Sequence, residues 1–465
     1  MRDLPVTDVR RPRFHITAEA GWVNDPHGLI WSGGEYHVFF QHVPGRTVWE
    51  PTCHWAHAVS PDLARWTRHG IALAPEQETG CWTGTVIRPT AAPPVAYYTS
   101  TQAPDFDHGR VRIAEAVDET LDAWIRPPGG VLIDGPPPGS GVVALRDPFM
   151  WRLTDGTWRL IMGGGFGGVG GAALQYSSPD ARVWTYDGIL CARDTADHSG
   201  TWTGTVWECP QLFELGGVWV FLIGVSHRDV LHYVAAATGD YDGTTFSPRQ
   251  WTRLSAGDSA YAATGFLDEQ GLRCLMFWLR EAPIHDPAAS PWAGALSVVQ
   301  VLTAESDGRL ALTPHPALTT LRRRGHRRDR HTVTPGGGTL SVEVPDHAVD
   351  VELTLTGAVP HTAATLTLAT HGQQLAALTV HFDTGQGHLD RPGLDRHPLP
   401  VHVHNSRLDL RVVLDGDVLE VFTGIGVGAW RLGSQPGILT VTLSVETGEV
   451  TLAEMVVHEM DDGLV

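Results

Sequence analysis

Part of the chain repeats at a spacing of about 120 residues, and this repeat constrains the fold more than any other feature of the sequence. The repeated segments are Asp25-Pro26 with Asp147-Pro148, Ser60-Pro61-Asp62 with Ser178-Pro179-Asp180, and Trp82-Thr83-Gly84-Thr85-Val86 with Trp202-Thr203-Gly204-Thr205-Val206. The three pairs occur in the same order at offsets of 118 to 122 residues. Internal periods of this kind indicate a repeat architecture.

The length of the repeat indicates its structural unit. A four-stranded blade of a β-propeller usually takes ~40–50 residues, so we interpret the repeat as two blades of about 60 residues each. Five positions recur at roughly that interval, and we expect each on or near the innermost strand of one blade. These positions are Asp25, Trp82, Asp147, Glu208 and the segment 258–261. With strand-like runs such as Tyr36–Phe40 between them, the sequence predicts a five-bladed β-propeller over residues 1–318.

A second domain is predicted after the propeller. Residues 319–338 are rich in arginine and glycine and are typical of a connector. From 339 to 465 the chain consists of short alternating strand patterns, with the turn Asp415-Gly416-Asp417 as a hairpin signal. The fold class is therefore all-β, a propeller followed by a C-terminal β-sandwich.

Charge excludes some classes of partner. The formal net charge is −19, which argues against nucleic acid and against an anionic membrane surface, because like charges repel. A nucleic-acid patch at the arginines of 322–328 is therefore the weaker interpretation of that segment. All 33 basic residues are arginine, so mechanisms that need a Schiff-base or phosphate-loop lysine are excluded.

The five cysteines do not indicate a disulfide framework, because their number is odd and no two form a CxxC. The N-terminus has no apolar run of signal-peptide length, and no stretch of ~18 apolar residues could span a membrane. We expect a cytoplasmic protein, either a monomer or a homodimer, with no membrane partner.

Three short acidic motifs carry the chemistry. They are Trp22-Val23-Asn24-Asp25-Pro26-His27-Gly28, Arg146-Asp147-Pro148 and Trp207-Glu208-Cys209-Pro210. Hydrolysis of a glycosidic bond with retention needs one carboxylate to attack the anomeric carbon and one carboxylic acid to protonate the leaving oxygen, ~5–5.5 Å apart. A single Asp-Pro is typically a turn or strand-end residue, but three acids in this order fit that chemistry.

These motifs resemble glycoside hydrolase family 32, the β-fructofuranosidases, over nearly the whole chain. The resemblance implies that Asp25 is the nucleophile, Glu208 the acid/base and Asp147 the transition-state stabiliser. It implies release of terminal β-D-fructofuranosyl units from sucrose or short fructo-oligosaccharides by double displacement. The chain departs from the family pattern at His27, where Asn is usual, and at Val299-Gln300, where Pro-Arg is usual.

The resemblance also implies a set of sugar-binding residues, with a small carbohydrate as the partner. These residues are Asn24, Gln41, Trp49, Trp82, Thr83, Arg146, Tyr261 and Trp278. Packing in a blade core is the alternative interpretation of Trp49 and Trp278, since Trp is often well buried. The family's Asp-Phe-Tyr-Ala is Ser259-Ala260-Tyr261-Ala262 here, with Asp258 one place early, so outer sugar contacts differ from the family's.

No cofactor and no metal are expected. Gly163, Gly165 and Gly168 formally satisfy GxGxxG, but the segment that follows is typical of a strand and not of a helix. His54 and His57 form an HxxH without Cys or carboxylate ligands nearby in the sequence, which favours packed histidines over zinc.

Two other functions stay open on the sequence. One is a fructosyltransferase or a propeller glycosidase of the arabinan- and xylan-cleaving type, whose inverting chemistry needs carboxyls ~6.5–9.5 Å apart. The other is a sugar-binding propeller without catalysis, which has no need of all three acids.

Overall fold

The computed structural model describes residues 10–89, 93–283, 285–286, 289–305, 308–357, 359, 361–433 and 436–465. These residues form 37 β-strands and one short 3₁₀ helix, Pro316–Leu321. Within this part of the chain, no helix is long and apolar enough to cross a bilayer.

Residues 21–314 form mainly antiparallel sheets that follow one another along the sequence. Blade 1 contains β1 (Gly21–Ser32), β2 (Glu35–Val43), β3 (His54–Ser60) and β4 (Thr67–Leu73). Blade 2 contains β5 (Gly80–Ile87), β6 (Val95–Gln102), β7 (Asp105–Ala116), β8 (Trp124–Ile125) and β9 (Val131–Ile133). Blade 3 contains β10 (Val142–Arg152), β11 (Trp158–Phe166), β12 (Gly170–Ser178) and β13 (Thr185–Ala192), and one backbone pairing between β10 and β7 joins it to blade 2.

Two further blades complete the series. Blade 4 contains β14 (Val206–Leu215), β15 (Val218–His227), β16 (Val230–Tyr241) and β17 (Phe246–Arg253). The next strands are β18 (Ser255–Gly257), β19 (Ala260–Leu267), β20 (Arg273–Leu279), β21 (Trp292–Ala293), β22 (Ala295–Leu296), β23 (Gln300–Ala304) and β24 (Leu310–Pro314). Blade 5 is built from β19, β20, β23 and β24, with β22 beside β20. Strand β21 pairs in parallel with β1 and so closes the ring.

The five innermost strands surround one axis. Each of β1, β5, β10 and β14 contacts the innermost strand of the next blade, and β19 contacts β1. A small central cavity is lined by residues from all five, including Pro26, Thr85, Pro148, Pro210 and Thr264. The predicted five-bladed propeller is confirmed, and the five recurring positions lie on or near its innermost strands.

Every innermost strand carries an irregularity at the same level. The register against the second strand of the blade shifts between Val23 and Pro26, Cys81 and Gly84, Arg146 and Phe149, Glu208 and Gln211, and Tyr261 and Thr264. Three residues inside these shifts, Asp147, Cys209 and Ala262, have φ of 63°, 47° and 45°. Bulges of this kind bend a strand and re-aim its side chains, and here they do so where the acidic motifs lie.

Two glycines of the GxGxxG pattern, Gly163 and Gly165, serve packing, as does Gly171 beyond the pattern, whereas Gly168 has open space around it. Gly163 lies in β11, and a Cβ at this position would come within 2.3 Å of the Trp207 carbonyl oxygen in the next blade. A Cβ at Gly171 would lie 2.1 Å from the Trp207 indole nitrogen. These glycines therefore let blades 3 and 4 approach closely.

Two sheets follow the propeller and pack face to face on a core of Val and Leu side chains. Their strands are β25 (Arg322–Arg328), β26 (His331–Val333), β27 (Leu340–Val344), β28 (Ala348–Thr356), β29 (Ala363–Thr370), β30 (Gln373–His381), β31 (Gln386–Asp390), β32 (His397–Pro400), β33 (Arg407–Asp415), β34 (Val418–Phe422), β35 (Val427–Arg431), β36 (Leu439–Thr447) and β37 (Val450–Met460). One sheet has the order β18-β35-β34-β33-β28-β37-β25, with β26 also beside β37, and the other has the order β27-β36-β29-β30-β31-β32. This is the predicted sandwich.

The segment 319–338, predicted as a connector, contributes regular structure. Strands β25 and β26 lie within it, and both pair with β37 of the sandwich. In the other direction β18, from the propeller region, pairs in parallel with β35. The two regions therefore share a sheet, and the boundaries 1–318, 319–338 and 339–465 stay a prediction.

Buried charges also join the two regions. Arg431 is fully buried and forms ion pairs with Asp417, at 2.8 Å, and with Glu281 of the propeller region, at 2.9 Å. The His15 ring lies between Asp415 and Glu420, 2.8 Å from each. Burial opposes a charge on His15, but the two carboxylates outweigh it and raise the pKa of the ring to about 9.

All five cysteines are buried free thiols.

We predict that Arg431→Ala lowers the free energy of unfolding by about 3–5 kcal/mol, because it leaves the Asp417 carboxylate buried without its partner. Thermal and urea denaturation followed by tryptophan fluorescence measure the change. Arg249→Ala is the matched control, since Arg249 and Asp240 form a pair in which both side chains are more than 60% exposed, and its effect stays within about 0.5 kcal/mol. Equal midpoints for the two variants would contradict the role of the buried network.

Candidate active site

Asp25 lies at the bulge of β1 and faces a set of hydrogen-bond donors. Its Oδ1 accepts from Asn24 Nδ2 at 3.1 Å. Its Oδ2 accepts from Thr83 Oγ1 at 2.9 Å, from Gln41 Nε2 at 3.2 Å and from the Cys209 thiol at 3.6 Å. These donors come from blades 1, 2 and 4. They fix the carboxylate in one orientation and stabilise its ionised form.

Asp147 is held by backbone contacts. Its own amide donates to Thr99 Oγ1 at 2.8 Å, and its Oδ2 accepts from the Cys209 amide at 2.8 Å. Its left-handed backbone, φ 63°, sits inside the β10 bulge. The side chain is 4% exposed. Cys209 thus contacts two acids at once, Asp147 through its amide and Asp25 through its thiol.

Glu208 is bound at both carboxylate oxygens. Oε1 lies 3.1 Å from Arg146 Nη1, and Oε2 accepts from the Tyr261 hydroxyl at 2.8 Å. Arg146 also pairs with Asp107 at 3.4 Å and lies over the Trp82 ring, 5.5 Å from its centroid. One guanidinium therefore connects the acid of blade 4 to the rim of blade 2.

Burial raises the pKa of all three carboxyls. For Asp25 burial outweighs the donors described above, and for Glu208 it outweighs Arg146 and Tyr261. For Asp147 burial and the neighbouring Asp25 together raise the pKa to about 8. Asp25 also raises the pKa of Glu208, against the effect of Arg146, so Glu208 keeps its proton to higher pH than an exposed glutamate does, as a general acid requires.

Aromatic rings form the walls around the acids. Trp82 is 6% exposed and stacks over Phe106, while Trp49 is 45% exposed and meets Trp82 edge-on at 5.6 Å. Trp278 is buried between Trp22 and Tyr261, and its indole nitrogen has no hydrogen-bond partner among the residues that the structure describes. Such flat apolar faces suit the C–H surfaces of a sugar.

The predicted site residues therefore fall into one neighbourhood. Asn24, Gln41, Thr83 and Cys209 contact Asp25, while Arg146 and Tyr261 contact Glu208. Trp49, Trp82 and Trp278 are linked to this set through ring contacts or through Arg146. Their roles in binding stay a prediction.

Sequence reasoning missed three contacts. Thr99 positions the Asp147 backbone, Phe106 supports Trp82, and Asp107 pairs with Arg146. Thr99 belongs to an ordinary strand pattern, and nothing in the sequence around it indicated a contact with Asp147. Phe106 and Asp107 follow the β6–β7 turn beside the predicted blade 2, and this position is the only cue that they carried.

The departures from the family pattern are accounted for locally. The His27 ring contacts the Asp25 carbonyl oxygen through Nδ1 at 2.9 Å and packs on Trp55, and burial lowers its pKa to about 3. Asp258 forms an ion pair with Arg391 of the sandwich. Gln300 donates to Glu420 at 2.7 Å, again across the two regions.

A five-bladed propeller with one buried and two partly buried carboxylates near its axis, surrounded by tryptophans, is the architecture of a carbohydrate-active enzyme. The family model "Glycosyl hydrolases family 32 N-terminal domain" matches residues 15–314. The chain belongs to this family and is a glycoside hydrolase.

Individual relatives agree with this assignment. The sucrose-6-phosphate hydrolase of Escherichia coli is 28% identical over 468 residues, 95% of this chain and 93% of the relative. The levanase of Bacillus subtilis is 27% identical over 90% of this chain and 65% of its own length. The solved GH32 β-fructofuranosidase of Bombyx mori has the same fold, with a TM-score of 0.80 at 24% identity, over 99% of this chain and 96% of that one.

We predict that Tyr261→Phe shifts the basic limb of the kcat/KM profile to higher pH. The hydroxyl donates to Glu208 and stabilises the ionised carboxylate, so its loss raises the pKa of Glu208 further and the acid keeps its proton to higher pH. Initial rates across the pH range measure the shift.

Tyr233→Phe serves as the control for this prediction, because the Tyr233 hydroxyl donates to the Trp202 carbonyl and touches none of the acids. Its pH profile should match that of the wild type. A basic limb that stays in place in Tyr261→Phe would mean that Glu208 is not the acid that the profile reports.

Proposed function

We propose that the protein is a retaining β-fructofuranosidase that releases terminal fructose from sucrose or short fructo-oligosaccharides. The convergence of Asp25, Asp147 and Glu208 at the axis carries this proposal, together with the contact of Cys209 to the first two. The relatives named for sucrose-6-phosphate, levan and β-fructofuranosides support the substrate class.

In the first step Asp25 attacks C2 of the fructofuranosyl unit. A bond forms between its carboxylate oxygen and C2, the C2–O bond to the leaving group breaks, and Glu208 gives its proton to that leaving oxygen. The donors around Asp25 hold both of its carboxylate oxygens and so fix the orientation from which it attacks. In the second step ionised Glu208 takes a proton from water, whose oxygen attacks C2 and displaces Asp25.

Asp147 does not change its bonding in this scheme. Its carboxyl oxygens lie beside the reacting centre and hold ring hydroxyls by hydrogen bonds that strengthen as C2 gains positive charge. Arg146 keeps Glu208 in place between the two steps. The tryptophans bury the sugar face, and Trp49, the most exposed of them, is placed to contact the leaving group at the rim.

The first test measures fructose release from sucrose, 1-kestose, inulin and levan. We expect Glu208→Gln to lower kcat by about 10²–10⁴-fold, and Asp25→Asn to abolish turnover while sugar binding persists. Glu214→Gln, on the exposed end of the same strand as Glu208, should match the wild type. Release by both acid variants at the wild-type rate would overturn the assignment of these residues.

The stereochemistry of the product separates the remaining alternatives. With methanol as acceptor, double displacement yields the methyl β-fructofuranoside. Inversion, or activity on arabinofuranosides alone, would indicate the arabinan- or xylan-cleaving type. A fructosyltransferase would instead transfer most of the fructose to sucrose when sucrose is concentrated enough to compete with water as the acceptor.

A further inference from the structure

A second cluster of potential ligands lies two strands outward from Asp25, at the outer edge of blade 1. It consists of His57 on β3, His69 on β4 and Asp122 in the loop between β7 and β8. Nδ1 of His57 and Nδ1 of His69 are each 2.9 Å from the same oxygen, Oδ1 of Asp122. The three ligand atoms lie within 4.8 Å of one another. We propose that these side chains bind a divalent transition-metal ion, zinc by preference, and that this ion ties blade 1 to blade 2.

Hydrogen-bond accounting favours a cation between His57 and Asp122. His37 Nε2 contacts the Ser32 carbonyl oxygen at 3.1 Å, and a carbonyl can only accept, so the hydrogen of neutral His37 is on Nε2. Its Nδ1 must then accept from His57 Nε2, 3.0 Å away. The hydrogen of neutral His57 is used there, which leaves its Nδ1 as a bare lone pair aimed at the Asp122 carboxylate.

Two acceptors at 2.9 Å repel each other unless a positive centre lies between or beside them. The His57 ring is 1% exposed and stacked on Phe39, so it receives little help from water. A metal ion bound by the His57 lone pair and the carboxylate removes this conflict. The chain from His57 through His37 to Ser32 is the kind of outer hydrogen bonding that orients metal-binding histidines.

The donor set and its surroundings suit zinc. Two imidazole nitrogens and one carboxylate oxygen are ligands that zinc accepts, and bonds of ~2.0–2.1 Å in a tetrahedron separate ligand atoms by about 3.3 Å. The contacts of 2.9 Å need only a small opening to reach that separation. Because His69 is 29% exposed and Asp122 46% exposed, solvent can supply a fourth ligand. Copper, nickel and cobalt ions compete for such a site.

Other clusters of similar composition among the described residues do not share these properties. They are Glu281 with His285 and Asp417, and Asp268 with Cys274 and His315. Arg431 already neutralises the first through both acids, and its charge opposes a cation. In the second, His315 Nδ1 accepts from a backbone amide, so its Nε2 carries the hydrogen that meets Asp268.

The HxxH pattern of His54 and His57 does not identify the ligands of this proposed metal site. His57 does contribute, but its partners are His69 and Asp122, which are distant in the sequence, and the ring of His54 contacts the Thr52 carbonyl oxygen instead. The proposed ion is structural. It crosslinks the outer strands of blade 1 to the loop of blade 2 and takes no part in the reaction at the axis.

Cobalt titration tests the proposal on the full-length, tag-free protein after dialysis against EDTA. We expect visible d–d absorption that saturates at one equivalent and is bleached by zinc. Zinc should also raise the melting temperature. His69→Ala and Asp122→Asn, both at partly exposed positions, should lose the absorption and the thermal shift, whereas His54→Ala, the matched control, should keep both. Circular dichroism checks that the variants are folded.

Two results would overturn the proposal. Absence of saturable cobalt binding by the wild type would mean that a proton, as an imidazolium at His57, meets the Asp122 charge. Binding that persists unchanged in both His69→Ala and Asp122→Asn would mean that the metal is held by other histidines of the chain.

Discussion

The close approach of five strands to one axis is the constraint on which the rest of the structure depends. The innermost strands β1, β5, β10, β14 and β19 each carry a register shift at the same level. These shifts re-aim side chains toward the axis. Without the bulges, alternation along a strand would send neighbouring residues to opposite faces. With them, Asp25, Asp147 and Glu208 share a site, although they are far apart in the sequence.

The electrostatics of the site follow from the same crowding. The three carboxyls have little contact with water, Asp25 raises the cost of ionising Asp147 and Glu208, and Arg146 is the cation that these two share. Asp25 and Glu208 differ in their hydrogen-bond donors. Asp25 accepts from several side chains, including Thr83, whereas Glu208 accepts from the Tyr261 hydroxyl. The nucleophile and the acid/base are thus each held by fixed hydrogen-bond donors. Such donors need little rearrangement during the reaction.

The sequence predicted the propeller and the identity of its inner strands, because repeated motifs report a repeated unit whatever its surroundings. It did not predict that Arg322–Arg328 is a strand, since an edge strand with solvent-facing arginines has the composition of a loop. Thr99 was invisible because its contact with Asp147 crosses between blades. The cluster of His57, His69 and Asp122 was missed for the same reason. Motifs show which residues matter, whereas contacts between blades depend on a geometry that no local pattern encodes.

The buried charges between propeller and sandwich have a consequence for how such a chain can change over evolution. Arg431, Asp417, Asp415 and Glu420 lie in the sandwich, and their partners Glu281 and His15 lie in the other region. Separating the two regions would leave buried His15 without its two carboxylates and would take Glu281 away from Arg431. The sandwich is therefore not a detachable accessory. Exchange of either region between relatives therefore requires matching charges on the other, which favours joint inheritance of the two regions.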